Sequence, residues 1–347
     1  MFMFRAEPSE VYSRTAHRGT QATLPHDAGL PDALCPGVPQ TGPGSVRRLV
    51  YILSPAHSGS TLLAMLLGTH PDICTVGEIK ATRMGDVSKY QCSCGTPILR
   101  CEFWKRVRDG MSLRGLDFDI AHPRMDVRSV GNAYARWLTR PLCRGRTVEF
   151  LRDLLLWMSP SWRAAYATLQ QRNLALLDTL CEVSGKSVIV DSSKSALRLK
   201  YLLRLPRTDV RVIRLIRDGR GVTLSLCGMQ RRIPMREAAR IWVRSSNEGQ
   251  GVLASVDSAR WVQVRYEDLC ADPRRVLAQL FRWIGVNPQG GTLDFRSREH
   301  HVLGNAMRLK SAALDGPDER WKTVLTAEEL RAFDTVAGKL SRAYGYE

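Results

Sequence analysis

The chain alternates short apolar runs with polar turns and amphipathic stretches. The first run, residues 49–53, has β propensity and ends at a turn, so it predicts a buried strand. Similar runs occur later as SVIVD, VRVIRLI and WVQVRYEDL, and a segment of helical character follows each of them. Strands that alternate with helices are typical of an α/β fold with a central parallel sheet flanked by helices.

Two regions depart from this alternation. Residues 1–45 are rich in Pro, Gly and polar side chains and have no apolar period, which predicts a disordered or loosely docked N-terminal arm. Residues 46–347 are then expected to form one domain. Residues 86–183, between the first and second predicted strands, form a helical insertion. We expect this insertion to set substrate specificity, because function is carried by variable segments on a rigid scaffold.

The turn after the first predicted strand has the character of an anion site. Its sequence is SPAHSGSTLL, in which Gly59 allows the backbone to approach an anion closely. Ser60 and Thr61 can cap the following helix, whose N-terminus offers N–H groups to a phosphate or sulfonate. An ordinary capped turn is the alternative. Ser60 stands where a Walker A loop has lysine, which counts against an ATP-dependent kinase.

A second polar turn follows the strand that ends at Ile216. Arg217 can offer a two-pronged hydrogen bond to a phosphate, and Ser225 lies two helical turns further on. The alternative is a surface turn with an ion pair between Arg217 and Asp218. Parallel sheets bind ligands beyond the carboxyl ends of their strands, so both turns, and the one after Val190, are expected to line one site.

Composition adds an electrostatic argument. The 347 residues include 44% hydrophobic residues, enough for a core, and carry a net charge of +17. Residues 194–244 hold 14 Lys or Arg against 3 Asp or Glu. This charge points to an anionic partner such as a nucleotide, a sulfated glycan, nucleic acid or an acidic membrane. A solvated basic face is the alternative interpretation.

Cellular location is constrained by three features of the sequence. No uninterrupted apolar run reaches about 18 residues, so no transmembrane helix is predicted, although peripheral membrane contact stays open. The first residues lack the basic and apolar regions of a secretory signal. Nine scattered cysteines, an odd number, favour a reducing compartment over a complete disulfide framework. Together these features predict a cytoplasmic protein.

Both turns resemble known motifs. SPAHSGSTLL resembles the 5′-phosphosulfate loop of sulfotransferases that use 3′-phosphoadenosine 5′-phosphosulfate (PAPS), and VIRLIRDGRGVTLSL resembles their 3′-phosphate motif. The resemblance is to bacterial-type members, related to tyrosylprotein and carbohydrate sulfotransferases, and covers about residues 47–347. It implies a P-loop-like fold, PAPS as donor and PAP as product. The cofactor-binding residues it implies are His57, Ser58, Gly59, Ser60, Thr61, Leu62, Arg217, Ser225, Tyr266, Arg308, Arg320 and Trp321. The family usually has Lys or Arg at the position of His57.

The resemblance also implies catalytic residues. Sulfonyl transfer is an in-line displacement at sulfur that needs a base and positive donors, and in principle no metal. Relatives carry a Gly-Glu whose Glu is the proposed base, which makes Glu78 the base candidate here. His57 is the rival base or a donor to the sulfonate, and Lys194 a candidate for stabilising the leaving oxygen. The alternatives are a structural Glu78, which caps a helix or forms an ion pair with Arg83, and a Lys194 that is an ordinary surface lysine.

A cysteine cluster lies in the insertion. CSCGTPILRCEFW places Cys92, Cys94 and Cys101 within ten residues. Three thiolates and a fourth ligand could hold zinc, but no fourth partner is evident. A disulfide and free packed thiols remain open as alternatives. Similar segments in bacterial sulfotransferases imply a local structural role.

Three functions follow from these patterns. The leading one is a PAPS-dependent sulfotransferase that acts on an acceptor hydroxyl, with a carbohydrate or a small molecule favoured. A P-loop nucleotide-dependent kinase is the second, disfavoured by the missing lysine. A basic nucleic-acid-binding protein is the third, suggested by charge alone, because the sequence has no recognisable reading motif.

Overall fold

A computed structural model describes most of the chain after the N-terminal arm. The described residues are 46–80, 84–129, 133–139, 146–230, 233–296, 300–309 and 316–347. The predicted arm, residues 1–45, lies outside them. Among the described residues no helix is both long and apolar enough to cross a membrane.

The fold centres on a sheet of five parallel strands in the order β2-β3-β1-β4-β5. The sheet confirms the predicted α/β class with a central parallel sheet flanked by helices. The strands are β1 (Arg47–Leu53), β2 (Ile73–Gly77), β3 (Val188–Asp191), β4 (Thr208–Ile216) and β5 (Trp261–Arg265).

Helices cover both faces of this sheet. Each strand connects to the next through at least one helix, since parallel strands need a crossover connection. The helices are α1 (Ser60–Leu67), α2 (Glu102–Leu113), α3 (Ala133–Leu138), α4 (Arg146–Met158), α5 (Pro160–Ser184), α6 (Ala196–Leu202), α7 (Gly219–Gln230), α8 (Met235–Leu253), α9 (Tyr266–Ala271), α10 (Pro273–Ile284), α11 (Trp321–Val324) and α12 (Ala327–Ala343).

Alternation along β1 divides the core into two layers. Leu49, Tyr51 and Leu53 pack into the cluster on the side of the insertion helices, while Val50 and Ile52 pack into the cluster with α1 and α10. All five are at most 3% exposed. A strand buried on both faces reads as a continuous apolar run, which is why residues 49–53 were identifiable from sequence.

The structure contains one strand that the sequence analysis did not predict. β2 is a five-residue strand, ICTVG, with too few apolar residues to give a periodic signal. It forms because it pairs with β3. The helical insertion therefore follows β2, the second strand, and not the first. The predicted strand WVQVRYEDL is also divided, because β5 ends at Arg265 and α9 begins at Tyr266.

The strand order places a ligand crevice beside the end of β1. The chain leaves β1 toward β2 on one side and later enters β4 on the other side. A reversal of this kind leaves the carboxyl ends of β1 and β4 uncovered by a crossover connection. The two turns that the sequence analysis singled out, after Leu53 and after Ile216, lie at these two ends.

Candidate active site

The turn after β1 holds two residues in the left-handed region of backbone space. His57 has φ 61° and Gly59 has φ 85°. A Cβ on Gly59 would lie 2.4 Å from Cδ2 of Tyr266, so this position accepts only glycine. The first backbone hydrogen bond of α1 runs from Leu63 N–H to the Gly59 carbonyl, which directs the amides of the preceding helical turn toward the crevice.

The same turn contains a buried hydroxyl without a protein partner. Ser58 is fully buried, and its Oγ makes no hydrogen bond within the part of the chain that the structure describes. Buried polar groups are nearly always satisfied, so this Oγ calls for a ligand or water. Ser60 and Thr61, at 3% and 6% exposure, lie at the start of α1 beside it. The turn therefore fits an anionic group.

Arg217 joins the second turn to the first. Its Nη1 donates to the His57 carbonyl at 2.8 Å, and its Nη2 donates to the Asp318 carbonyl at 3.0 Å. Its guanidinium lies 4.6 Å from the ring centroid of Tyr266. The side chain is 6% exposed, which only a well-paired arginine tolerates. Arg217 thus stands between the β1 turn and a C-terminal segment.

The C-terminal segment that contains Arg320 and Trp321 packs beside this arginine. The guanidinium of Arg220 lies 3.8 Å from the ring centroid of Trp321, and Tyr266 Oη accepts the Asp318 amide at 3.3 Å. Arg320 forms a two-pronged ion pair with Asp318 and is itself exposed.

Three further residues that were predicted to bind the cofactor are Ser225, Arg308 and Leu62. Ser225 lies on α7, two helical turns after Arg217, and donates to the Gly221 carbonyl at 3.0 Å. Arg308 lies in a short 3-10 helix, Ala306–Leu309, and its side chain falls outside the described residues. Leu62 contributes to the core beneath the turn.

Asp318 and Glu267 organise the site and were not predicted as site residues. Asp318 also pairs with Arg217, at 3.1 Å, and its two arginine neighbours, Arg320 first, hold the pKa of its carboxyl well below the usual range. Glu267 accepts the Asp218 amide at 3.0 Å and the Tyr346 hydroxyl at 2.7 Å.

The alternative interpretation of the second turn is not what the structure shows. Asp218 pairs with Arg220, at 2.8 Å, and not with Arg217. The basic stretch 194–244 is also only partly a solvated face, because Arg198, Arg214 and Arg217 are at most 6% exposed. Arg198 pairs with buried Asp191 at 2.9 Å, and Arg214 bonds to the Tyr344 hydroxyl.

The predicted catalytic residues Glu78 and Lys194 meet across the ends of β2 and β3. Lys194 Nζ donates to Glu78 Oε1 at 2.6 Å, and both side chains are partly buried. Lys194 has φ 61°, a strained conformation for a long side chain. Arg83, the alternative partner of Glu78, lies outside the described residues. The structure thus shows Lys194 in an ion pair beside the crevice.

His57 lies within electrostatic reach of the same pair. Burial lowers the pKa of His57, the charges of Lys194 and Arg217 lower it further, and Glu78 opposes them. The imidazole is therefore neutral near neutral pH in the ligand-free protein. A neutral imidazole lacks the positive charge of the Lys or Arg that the family usually carries at this position.

A distant segment forms the wall behind Glu78. The Glu78 amide donates to the Leu303 carbonyl at 3.0 Å, and a Cβ on Gly304 would lie 2.9 Å from Glu78 Oε1. Leu303 also pairs with Gly77 as a parallel bridge. Nothing in the segment HHVLGNAMRLK signals this contact, because an isolated bridge has no periodicity.

A cavity of about 900 Å³ lies elsewhere, between α4, α6 and α8, and none of the predicted site residues lines it. Opposite charges line it, including Glu149 and Asp153 from α4 with Arg244 and Glu248 from α8. Its α4 residues belong to the insertion. The cavity is therefore separate from the crevice that the two turns form.

Comparison with known proteins identifies the family. The model of the sulfotransferase family matches residues 50–289, most of the chain. The chain belongs to the sulfotransferase family. The matched region of this sulfotransferase includes both turns, Glu78 and Lys194. A search of curated proteins finds no significant match.

Solved structures similar to this sulfotransferase include two sulfotransferase domains. The one from the Synechococcus PCC 7002 olefin synthase is 19% identical over 90% of this chain and 98% of that one, with a TM-score of 0.48. The one from the curacin biosynthetic pathway is 18% identical over 87% and 99%, with a TM-score of 0.44. The fold assignment rests on the sheet itself.

Proposed function

We propose that this sulfotransferase uses PAPS as its donor and a hydroxyl of a carbohydrate or small molecule as its acceptor. The observation that carries the proposal is the contact between the two anion turns, in which Arg217 Nη1 donates to the His57 carbonyl. This contact brings the predicted 5′-phosphosulfate turn and the predicted 3′-phosphate arginine to one crevice. A donor with phosphates at both positions would span it.

The residues around the crevice suggest how the donor would be held. Ser58, with its unpartnered Oγ, and the amides at the start of α1 would hold the 5′ end. Arg217 and Ser225 would hold the 3′-phosphate, because a guanidinium and a hydroxyl are donors that suit phosphate oxygens. Trp321, stacked with Arg220 over this corner, would exclude water.

PAPS supplies a sulfonate on a phosphate leaving group. Glu78 would take the proton of the acceptor hydroxyl, because it is a carboxylate at the edge of the crevice. Lys194 holds one carboxylate oxygen through its 2.6 Å bond, which orients Glu78 and leaves an ammonium beside the reaction path. His57 would donate a hydrogen bond to the sulfonate, since a bound anion favours its protonated form.

The reducing location predicted from sequence stays part of the proposal. All seven cysteines that the structure describes are free. The proposed location is the cytoplasm, the reducing compartment that the odd number of scattered cysteines favours.

Retention on immobilised PAP tests the donor assignment. We expect the full chain to bind PAP-agarose and to elute with free PAP, and we expect the Arg217→Ala variant to flow through. Elution by salt alone would indicate general basicity, and Mg²⁺-dependent ATP turnover would favour the kinase. Incubation with ³⁵S-PAPS and native cell extract would then reveal the acceptor, and a label only on protein would contradict the carbohydrate or small-molecule assignment.

A further inference from the structure

Four potential metal ligands converge where the first part of the insertion meets the segment around residue 301. Cys92, Cys94, Cys101 and His301 each offer one ligand atom, and these four atoms lie within 4.8 Å of one another. The fourth ligand comes from a segment about 200 residues away in sequence, which is why no partner was evident beside the three cysteines. We propose that this cluster binds one structural zinc ion.

Three separations between the ligand atoms are close to those of a tetrahedral site. Zn–S bonds of about 2.3 Å and Zn–N bonds of about 2.0–2.1 Å place two sulfurs about 3.8 Å apart and a sulfur and a nitrogen about 3.6 Å apart. The Sγ atoms of Cys94 and Cys101 are 3.8 Å apart. His301 Nδ1 lies 3.3 Å from Cys101 Sγ and 3.7 Å from Cys92 Sγ.

The ligand set selects zinc among common metals. Three thiolates and one imidazole form a closed set that leaves no position for substrate, as in structural zinc sites. A disulfide between Cys94 and Cys101 would require the sulfurs to lie about 2.05 Å apart, so it does not fit their 3.8 Å separation.

Backbone hydrogen bonds and a ring contact position the ligands of this cluster. The Cys92 amide donates to the Thr96 carbonyl at 2.8 Å, and the Gly95 amide returns to the Cys92 carbonyl at 2.9 Å. These bonds form a tight turn that directs the first two thiols to one side. The ring of His301 stacks on Phe103 at 4.3 Å with an interplanar angle of 6°, which fixes its orientation. Zinc sites commonly have such supported histidines.

The site would fasten the insertion to the wall of the active site. Ser93 Oγ donates to the His300 carbonyl and accepts the Val302 amide, both at 2.7 Å. Tyr90 Oη accepts the Gly304 amide at 2.9 Å. Residues 300–304 continue directly to the contact with Glu78. The ion would therefore hold in place the backbone against which the proposed base packs.

Metal analysis of the full chain tests this inference independently of sulfonate transfer. Protein purified under reducing conditions from zinc-supplemented cells should contain about one zinc ion per chain, the stoichiometry of a four-ligand site. The Cys101→Ser and His301→Ala variants should lose most of this zinc. The Cys181→Ser variant is the matched control, because Cys181 lies on α5 outside the cluster, and it should keep its zinc.

Cobalt exchange covers the case in which a ligand variant fails to fold. Wild-type protein that is stripped of metal and loaded with Co²⁺ should show intense tetrahedral bands with thiolate charge transfer, and zinc should displace them. Metal removal should also lower the Tm by several degrees and expose thiols to a thiol reagent. Wild-type protein that holds no zinc and takes none up, equimolar iron or copper in its place, or a Cys94–Cys101 disulfide in a non-reducing peptide map would each overturn the inference.

Discussion

The proposed active site has two halves that the fold positions in different ways. The donor half comprises the β1 turn, Arg217, Ser225, Tyr266 and residues 318–321. The transfer half comprises Glu78, Lys194 and residues 300–304. Strand ends of a parallel sheet position the turns of the donor half and also Glu78 and Lys194. The wall of the transfer half depends in addition on irregular segments, such as those of Tyr90 and Gly304, which are 214 positions apart. Local motifs thus made the turns of the donor half predictable from sequence. In the transfer half, Glu78 and Lys194 were named from sequence, whereas the contacts of residues 300–304 are visible only in the structure.

The largest expected effect separates turnover from donor affinity. The Glu78→Gln substitution keeps the shape of the side chain and removes the proton acceptor, so we expect kcat to fall by about 10²–10⁴-fold, the usual worth of a positioned base. The affinity for PAP should change little, because Glu78 lies in the transfer half. Steady-state kinetics and calorimetry measure the two quantities.

The matched control is Glu102→Gln, which removes an exposed carboxylate paired with Lys105 and should leave kcat unchanged. Normal turnover in Glu78→Gln, together with lost turnover but intact PAPS affinity in His57→Ala and His57→Lys, would assign the base to His57. The comparison of the two halves would then fail, since the base would lie in the β1 turn.

The second effect concerns the rigidity of the donor half. In the Gly59→Ala variant, a left-handed residue costs about 1–2 kcal/mol and the collision with Tyr266 adds about 1–3 kcal/mol, so urea denaturation should show a marked loss of stability. Gly185 has a similar φ of 67°, but a Cβ there would meet no atom within 4 Å. The Gly185→Ala variant should therefore lose only the stability that the left-handed conformation costs. Equal losses in the two variants would show that Tyr266 does not restrain the turn.

The third effect is a graded loss of PAP affinity within the donor half. Arg217→Ala should weaken binding by about 1.5–3 kcal/mol, as for a charge-assisted hydrogen bond, and Ser225→Ala by about 0.5–1.5 kcal/mol. Arg240→Ala removes an exposed arginine paired with Glu237 and should have little effect. If calorimetry finds the same loss of PAP affinity for Arg240→Ala and Arg217→Ala, net positive charge would explain PAP binding. The assignment of Arg217 to the 3′-phosphate would then be wrong.

The smallest effect is a proton taken up by His57. In the free protein its pKa is lowered, so the imidazole is neutral above its usual titration range, and a bound sulfonate would raise the pKa again. Binding of PAPS at about pH 6 should therefore take up a fraction of a proton, more than PAP does. Calorimetry in buffers of different ionisation enthalpy measures the uptake. Equal uptake for both nucleotides, or the same difference in His57→Ala, would contradict this role.

The two halves also explain how far sequence reasoning reached. The buried run of β1 and the turns after Leu53 and Ile216 were predictable, because buried parallel strands and anion turns have local signatures. β2 was not predictable, since its three apolar residues give no periodic signal and the strand depends on pairing with β3. His301 and Gly304 carried no signal either. Their roles depend on contacts that chain topology creates and that no spacing encodes.

The contact between Glu78 and Leu303 has a consequence for biosynthesis. The ribosome synthesises the segment with Glu78 early and the segment with Leu303 near the end of the domain. The backbone of Leu303 that contacts Glu78 is therefore absent during most of the synthesis. At a synthesis rate of about 5–20 residues per second, the interval is roughly 10–45 s. Truncated chains that lack the last fifty residues would keep the β1 turn and Arg217. They would lack the backbone of Leu303 against which Glu78, the proposed base, packs.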